Sequence, residues 1–226
     1  SPREWQRPLT PRRSSGNKSL ILSLPSSTII HSILFLGYLF GSFPSGYLAG
    51  IIAKGIDIRS LGSGSTGATN VLRHIGKRAA ITVFLLDVFK GVLSILLAKY
   101  LLLNDSWQVA IGLSTLIGHI WPVWLNWKGG KAVATGLGIF LGLSWQVGLA
   151  TLGVFIIMIT LFRIVSLASV SASLALPLIM FLSFSGSNIS LPFLIVSLLA
   201  MILVIWRHRE NIVRLIRGKE PTIGQP

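Results

Sequence analysis

Six long apolar runs, at 28–53, 79–102, 106–125, 132–162, 164–184 and 190–206, take up most of the 226 residues. A helix needs about 17 to 25 such residues to cross a bilayer. In lipid every backbone N–H and C=O must be paired within the protein, so runs of this length read as helices. Five of the runs give one crossing each. The fourth is too long for one and carries a polar and aromatic break at Ser144-Trp145-Gln146, so it reads as two short crossings. The expectation is an all-α integral membrane protein with seven transmembrane helices. Only 12% of the residues are charged and the mean hydropathy is +0.75, whereas a soluble domain carries about 25%.

Twenty Lys and Arg stand against six Asp and Glu. On a soluble chain that excess would suggest nucleic acid. Here it sits in short loops between apolar runs, so no nucleic-acid partner is expected and the bilayer is the partner. With seven crossings, loops 54–78 and 126–131, the Arg163 turn and the tail after Trp206 share one side and hold thirteen basic residues; the opposite turns near 103–105, 144–146 and 185–189 hold none. Basic loops stay cytoplasmic, which puts the C-terminus inside and the N-terminus outside. Residues 1–27, rich in Arg, Ser and Pro, read as a disordered basic tail with a composition like that of a transit peptide. Its charge opposes the assignment, but the loop charges are fixed between helices. The membrane domain is expected at 28–220, followed by a short tail at 221–226.

The absence of Cys removes thiol nucleophiles, disulfides and thiolate metal sites. With only four scattered His, no metal centre and no cofactor is expected. Three cytoplasmic segments carry polar chemistry. In the first, Leu61 to Arg73, three glycines (Gly62, Gly64, Gly67) let backbone N–H groups turn inward. Ser63, Ser65, Thr66, Thr69 and Asn70 add side-chain donors and Arg73 adds a two-pronged cation, which suits either an anion cradle or a flexible surface turn. The G-x-G-x-x-G spacing follows a membrane helix and no strand, so it is not a dinucleotide fingerprint, and no Gly-Lys-Ser/Thr closes it as a Walker loop. The second segment, Lys128-Gly129-Gly130-Lys131, fits an anion site or a positive anchor at the interface. In the third, His208 and Asn211 share a helical face directly after the last run, and His208 read alone is an interfacial bystander. Asp87 and Lys90, three apart inside the second run, are expected to face the bundle and pair.

Together these segments resemble a known family. The stretch Gly41-Ser42-Phe43-Pro44-Ser45-Gly46-Tyr47, the loop running into Gly67-Ala68-Thr69-Asn70, the Asp87 and Lys90-Gly91 pair, Gly118-His119, Lys128-Gly129-Gly130-Lys131 and Arg207-His208-Arg209-Glu210-Asn211 are similar to the bacterial acyl-phosphate:glycerol-3-phosphate acyltransferases, the PlsY family. The match runs in order from about Ser32 to Glu220. It implies a seven-helix enzyme of the inner membrane, working at the cytoplasmic face. Such an enzyme moves a fatty acyl group from acyl phosphate to the 1-hydroxyl of glycerol 3-phosphate, giving lysophosphatidic acid and phosphate. Carried over by motif, Ser63, Arg73, Lys131, His208 and Asn211 would be catalytic. Gly62, Gly64, Ser65, Thr66, Gly67, Thr69, Asn70, Lys128, Gly129 and Gly130 would bind substrate. Ser65 stands where the family has Asn, and Ala132 where it has Gly.

The residues themselves agree with this reading. An acyl phosphate is already activated, so the task is to desolvate, align hydroxyl with carbonyl and stabilise charge. The chain lacks Cys, a G-x-S-x-G elbow and a His followed five residues later by Asp, and no covalent acyl-enzyme is expected. The hydroxyl proton goes to the donor phosphate or to His208. The phosphate is preferred, because no carboxylate in the basic loops is placed to orient His208. The rival readings are an organic-anion transporter or channel, where a transporter would hold its ligand near the midplane on broken helices, and a phosphatase or an acyltransferase using coenzyme A thioesters.

Overall fold

The computed structural model describes residues 26–186 and 190–224, and among them ten α-helices and no strand. The helices are α1 (Ser26–Ser42), α2 (Ser45–Lys54), α3 (Ala68–His74), α4 (Lys77–Tyr100), α5 (Asp105–Ile120), α6 (Val133–Leu143), α7 (Trp145–Phe162), α8 (Val165–Gly186), α9 (Leu191–Arg207) and α10 (Arg209–Ile216). The expected basic tail lies outside the described residues up to position 25, as does the end of the C-terminal tail at 225–226. The chain divides into two compact units, Ser1–Ser32 and Ile33–Pro226. Described residues of the first form only the opening turns of α1.

Five stretches are long and apolar enough to cross a membrane: Ile30–Lys54, Lys77–Tyr100, Asp105–Leu125, Trp145–Phe162 and Val165–Ser183. A sixth is obtained if α9 and α10, bent by 62° at His208, are taken together. The seven crossings expected from sequence therefore exceed this number by one, and the difference is α6. Eleven residues make a helix only about 16 Å long, half of a hydrocarbon core. The reason is visible just before it. Gly129 N donates to Ile120 O (3.1 Å) and Gly130 N to His119 O (3.0 Å), so the chain doubles back along the last turn of α5 and α6 starts inside the bundle. It then runs parallel to the second half of α4, so that Gly138 meets Val88, Gly142 meets Ile95 and the two helices end together. A Cβ on Gly91 would lie 2.4 Å from Thr135 O, and one on Gly138 would lie 2.0 Å from Val88 O. Such contact between small residues drives helix association where the solvent is itself apolar. At its far end Leu143 O accepts a bond from Lys99 Nζ (3.3 Å) in the last turn of α4.

The other breaks follow from local chemistry. Pro44, which lacks an N–H, separates α1 from α2. The break exposes Phe43 O to Lys90 Nζ (3.2 Å) and brings Ser45 Oγ to Asp87 Oδ1 (2.6 Å). Asp87 and Lys90 pair at 2.8 Å, buried as expected for charges in a membrane helix. The helix breaks at Ser144, where the sequence places the division of the long run, and again at Arg163 with φ 57°. Below the polar groups, Ile95, Leu116, Ile139, Phe140, Met180 and Val196 form the apolar core.

Candidate functional site

The first polar loop is shaped by Asn70. Its Nδ2 donates to Ile58 O, Leu61 O and Ser65 O (3.0, 3.0 and 2.9 Å), while Oδ1 accepts from Ser63 N (3.4 Å). With its amide spent on the loop's own carbonyls, Asn70 curls the segment around itself. Gly62 and Gly64 sit at φ 53° and 64°, a region open to glycine at no cost in strain. Ser65 Oγ accepts from Gly67 N (3.2 Å). The loop feeds into α3, which brings Arg73 to the site. Among the described residues Arg73 has no hydrogen-bond or ion-pair partner within the protein.

The second segment delivers Lys131, whose Nζ donates to Asn211 Oδ1 (2.6 Å) across the bundle. Burial, with help from the nearby Arg214, pushes the Lys131 ammonium down to about 8, and Glu220 opposes the shift only in part. The next residue, Ala132, is held at φ 67° with 1% of its surface exposed. This left-handed conformation suits the glycine expected there and strains an alanine.

His208 occupies the bend between α9 and α10 and is buried. Its Nδ1 donates to Val204 O (2.8 Å), which fixes the tautomer and leaves the Nε2 lone pair free. Burial lowers its pKa to about 4, opposed by the Val204 bond and reinforced by Lys131, so the ring is neutral at physiological pH. Asn211 Nδ2 donates to Glu220 Oε1 (2.6 Å). The same carboxylate takes Ser166 Oγ (2.8 Å) and Arg214 Nε (2.7 Å). Burial alone would raise its pKa, but these bonds outweigh it and hold Glu220 below the ordinary carboxylate value.

A polar cavity of about 120 Å³ joins the three segments. Of the residues expected from sequence, Ser63, Ser65, Gly67, Thr69, Asn70, Arg73, Lys131, His208 and Asn211 line it. Gly62, Gly64, Thr66, Lys128, Gly129 and Gly130 do not; the first two form the turn of the loop, Lys128 is exposed, and Gly129 and Gly130 pack on His119. Asp87, His119, Ser166 and Glu220 line the cavity and were not singled out as site residues. Asp87 was visible as a charge in an apolar run and Glu220 as an acid in a basic tail. Nothing in the sequence marks Ser166.

The charge balance is informative. Asp87 is paired with Lys90 and Glu220 with Arg214, so neither acid neutralises the site. Arg73 and Lys131 remain without an acidic partner within salt-bridge reach among the described residues. A second cavity of about 80 Å³, almost wholly apolar, adjoins the first and shares Phe84, Ala132, Val133, Ala134, Phe155 and Ser169 with it. A cationic chamber thus lies beside an apolar one.

Residues 31–218 match the glycerol-3-phosphate acyltransferase family. A relative from Prochlorococcus marinus named glycerol-3-phosphate acyltransferase is 97% identical over 194 residues, covering 86% of this chain and 98% of its own. One of the same name from Parasynechococcus marenigrum is 62% identical over 85% of this chain and 89% of its own. Among solved structures, the glycerol 3-phosphate form of PlsY, an integral membrane glycerol 3-phosphate acyltransferase, is 36% identical with a TM-score of 0.77. It covers 87% of this chain and 96% of that one. The lysophosphatidic acid form of the same enzyme aligns at 35% identity and a TM-score of 0.76, with the same coverage.

Proposed function

Since the chain belongs to the glycerol-3-phosphate acyltransferase family, we propose that it transfers a fatty acyl group from acyl phosphate to the 1-hydroxyl of glycerol 3-phosphate. The products are lysophosphatidic acid and inorganic phosphate, and no covalent acyl-enzyme forms. The observation that carries this reading is a pair of cations, Arg73 and Lys131, with no salt-bridge partner among the described residues, in a polar cavity that lies beside an apolar one. The polar chamber matches the charge of two anionic headgroups and the apolar one the chemistry of an acyl chain.

The acyl chain lies along the apolar chamber, with its phosphate at the Ser63 loop and Arg73. Glycerol 3-phosphate is held by Lys131 with Asn211, and its hydroxyl points at His208. The hydroxyl oxygen attacks the carbonyl carbon, the bond from that carbon to the phosphate oxygen breaks, and phosphate leaves with the electron pair and accepts the proton. His208 Nε2, a weak base at a pKa of about 4, accepts a hydrogen bond that aims the hydroxyl. The protein supplies alignment and charge stabilisation, which together account for most of the acceleration open to an activated donor.

The chain crosses the membrane seven times, with α6 as a short crossing. Its N-terminus is outside, and its C-terminus and site face the cytoplasm of an inner membrane. The thirteen basic residues of the loops and tail on the site side support that orientation. The test of function is donor choice. Purified protein in liposomes is given glycerol 3-phosphate with acyl phosphate, acyl-CoA or acyl carrier protein in turn. Lysophosphatidic acid should form from acyl phosphate, and inorganic phosphate should inhibit; equal rates with a thioester would refute the reading.

A further inference from the structure

We propose that His119 is a positioning residue of the anion site: its imidazole is the surface on which the Gly129–Gly130 turn is laid, and it thereby fixes where Lys131 presents its ammonium. Neither glycine has a left-handed φ, so backbone freedom is not what they provide. Space is the reason. A Cβ on Gly130 would lie 2.1 Å from His119 Nε2 and 2.6 Å from Cε1. A Cβ on Gly129 would lie 2.2 Å from His119 O and 2.5 Å from Pro122 Cδ. The glycines expected to bring the chain close to an anion instead bring it against the chain's own histidine.

The turn is fixed from three directions. Gly130 N donates to His119 O (3.0 Å), Gly130 O accepts from Arg207 Nε (3.2 Å), and the ring lies against its Cα. Behind the ring stands the buried ion pair of α4. His119 Nδ1 is 3.8 Å from Asp87 Oδ1, which is itself held by Ser45 Oγ at 2.6 Å and Lys90 Nζ at 2.8 Å. Position therefore passes from the membrane ion pair through His119 and the turn to Lys131 and Asn211. His119 borders the polar cavity, but in this arrangement it works on the loop and leaves the reacting atoms alone.

The role of Lys131 toward glycerol 3-phosphate rests on the proposed function; the platform itself does not. The experiment therefore reads both, on the full chain in a bilayer. In His119→Ala, amide hydrogen exchange at Gly129, Gly130 and Lys131 should quicken. The KM for glycerol 3-phosphate should rise about tenfold, with that for acyl phosphate near its original value. His119→Phe, which keeps a flat ring, should keep both close to normal. Gly130→Ala, whose methyl has no room beside the ring, should repeat the KM rise, and adding His119→Ala to it should cost nothing more because the two share one contact. Unchanged exchange in folded His119→Ala, or a loss confined to kcat, would overturn the proposal. Faster exchange with an unchanged KM would uphold the platform and remove Lys131 from the glycerol 3-phosphate site.

Discussion

Raising the pH through about 8 should weaken glycerol 3-phosphate capture through one residue, Lys131. A lysine is cationic below its pKa, and burial with the nearby Arg214 brings this one down to about 8. At that value the ammonium is roughly 90% populated at about pH 7 and roughly 10% at about pH 9. A phosphate monoester is a dianion throughout, since its second pKa is about 6. With acyl phosphate saturating, kcat/KM for glycerol 3-phosphate should therefore fall about tenfold between those pH values. Measured kcat should fall less, because a bound dianion holds the proton on Lys131. A guanidinium, unlike an ammonium, keeps its charge throughout this range. Lys131→Arg should consequently keep its charge and abolish the alkaline limb, at the cost of a misplaced donor. Lys131→Met should lose a charge-assisted hydrogen bond of about 1.5–3 kcal/mol, raising KM some 10- to 150-fold at neutral pH with no further dependence. Initial rates of lysophosphatidic acid formation in proteoliposomes across this range give the answer. A flat profile in wild type, or the same limb in Lys131→Arg, would refute the assignment.

Three further outcomes are expected. His208→Ala should lose activity that His208→Gln or His208→Asn largely recovers at saturating substrates, because a hydrogen-bond acceptor suffices to aim the hydroxyl; if both stay as inactive as Ala while binding glycerol 3-phosphate, His208 is the base. Ala132→Gly should stabilise the protein by about 1 kcal/mol in thermal unfolding, by releasing an alanine from a left-handed backbone; an equal loss would show that the conformation carries no strain. Single cysteines at Ser63, Lys128 and Lys219 should label only from the cytoplasmic side and one at Asn104 only from outside, and any exchange of sides would break the proposed topology.

The apolar runs made the helical membrane fold legible, because their length has no other use. The break at Ser144 was also readable, since polar and aromatic residues interrupt an otherwise apolar run. The length of α6 was not. It depends on the 121–132 segment folding back against α5, a contact that hydropathy does not encode. Within the site, Arg73, Lys131, His208 and Asn211, singled out by residue type, line one cavity. They were silent on what those groups bond to. Asn70 has the look of a donor to substrate, yet its amide closes the loop. Gly130 has the look of space for an anion, and its space is filled by His119. The partner of a side chain is decided by tertiary packing, and three of the cavity's acids and hydroxyls, Asp87, Ser166 and Glu220, are brought there by α4, α8 and the segment after α10, far apart in the chain.

Direct transfer from acyl phosphate is best tested by rapid quench without acceptor. Enzyme in molar excess over acyl-labelled acyl phosphate, with glycerol 3-phosphate omitted, should leave no label on the protein and release no rapid phosphate. Adding glycerol 3-phosphate should then yield lysophosphatidic acid and phosphate together, at one rate. A burst of phosphate matched by protein-bound acyl group before the acceptor is added would contradict the one-step mechanism.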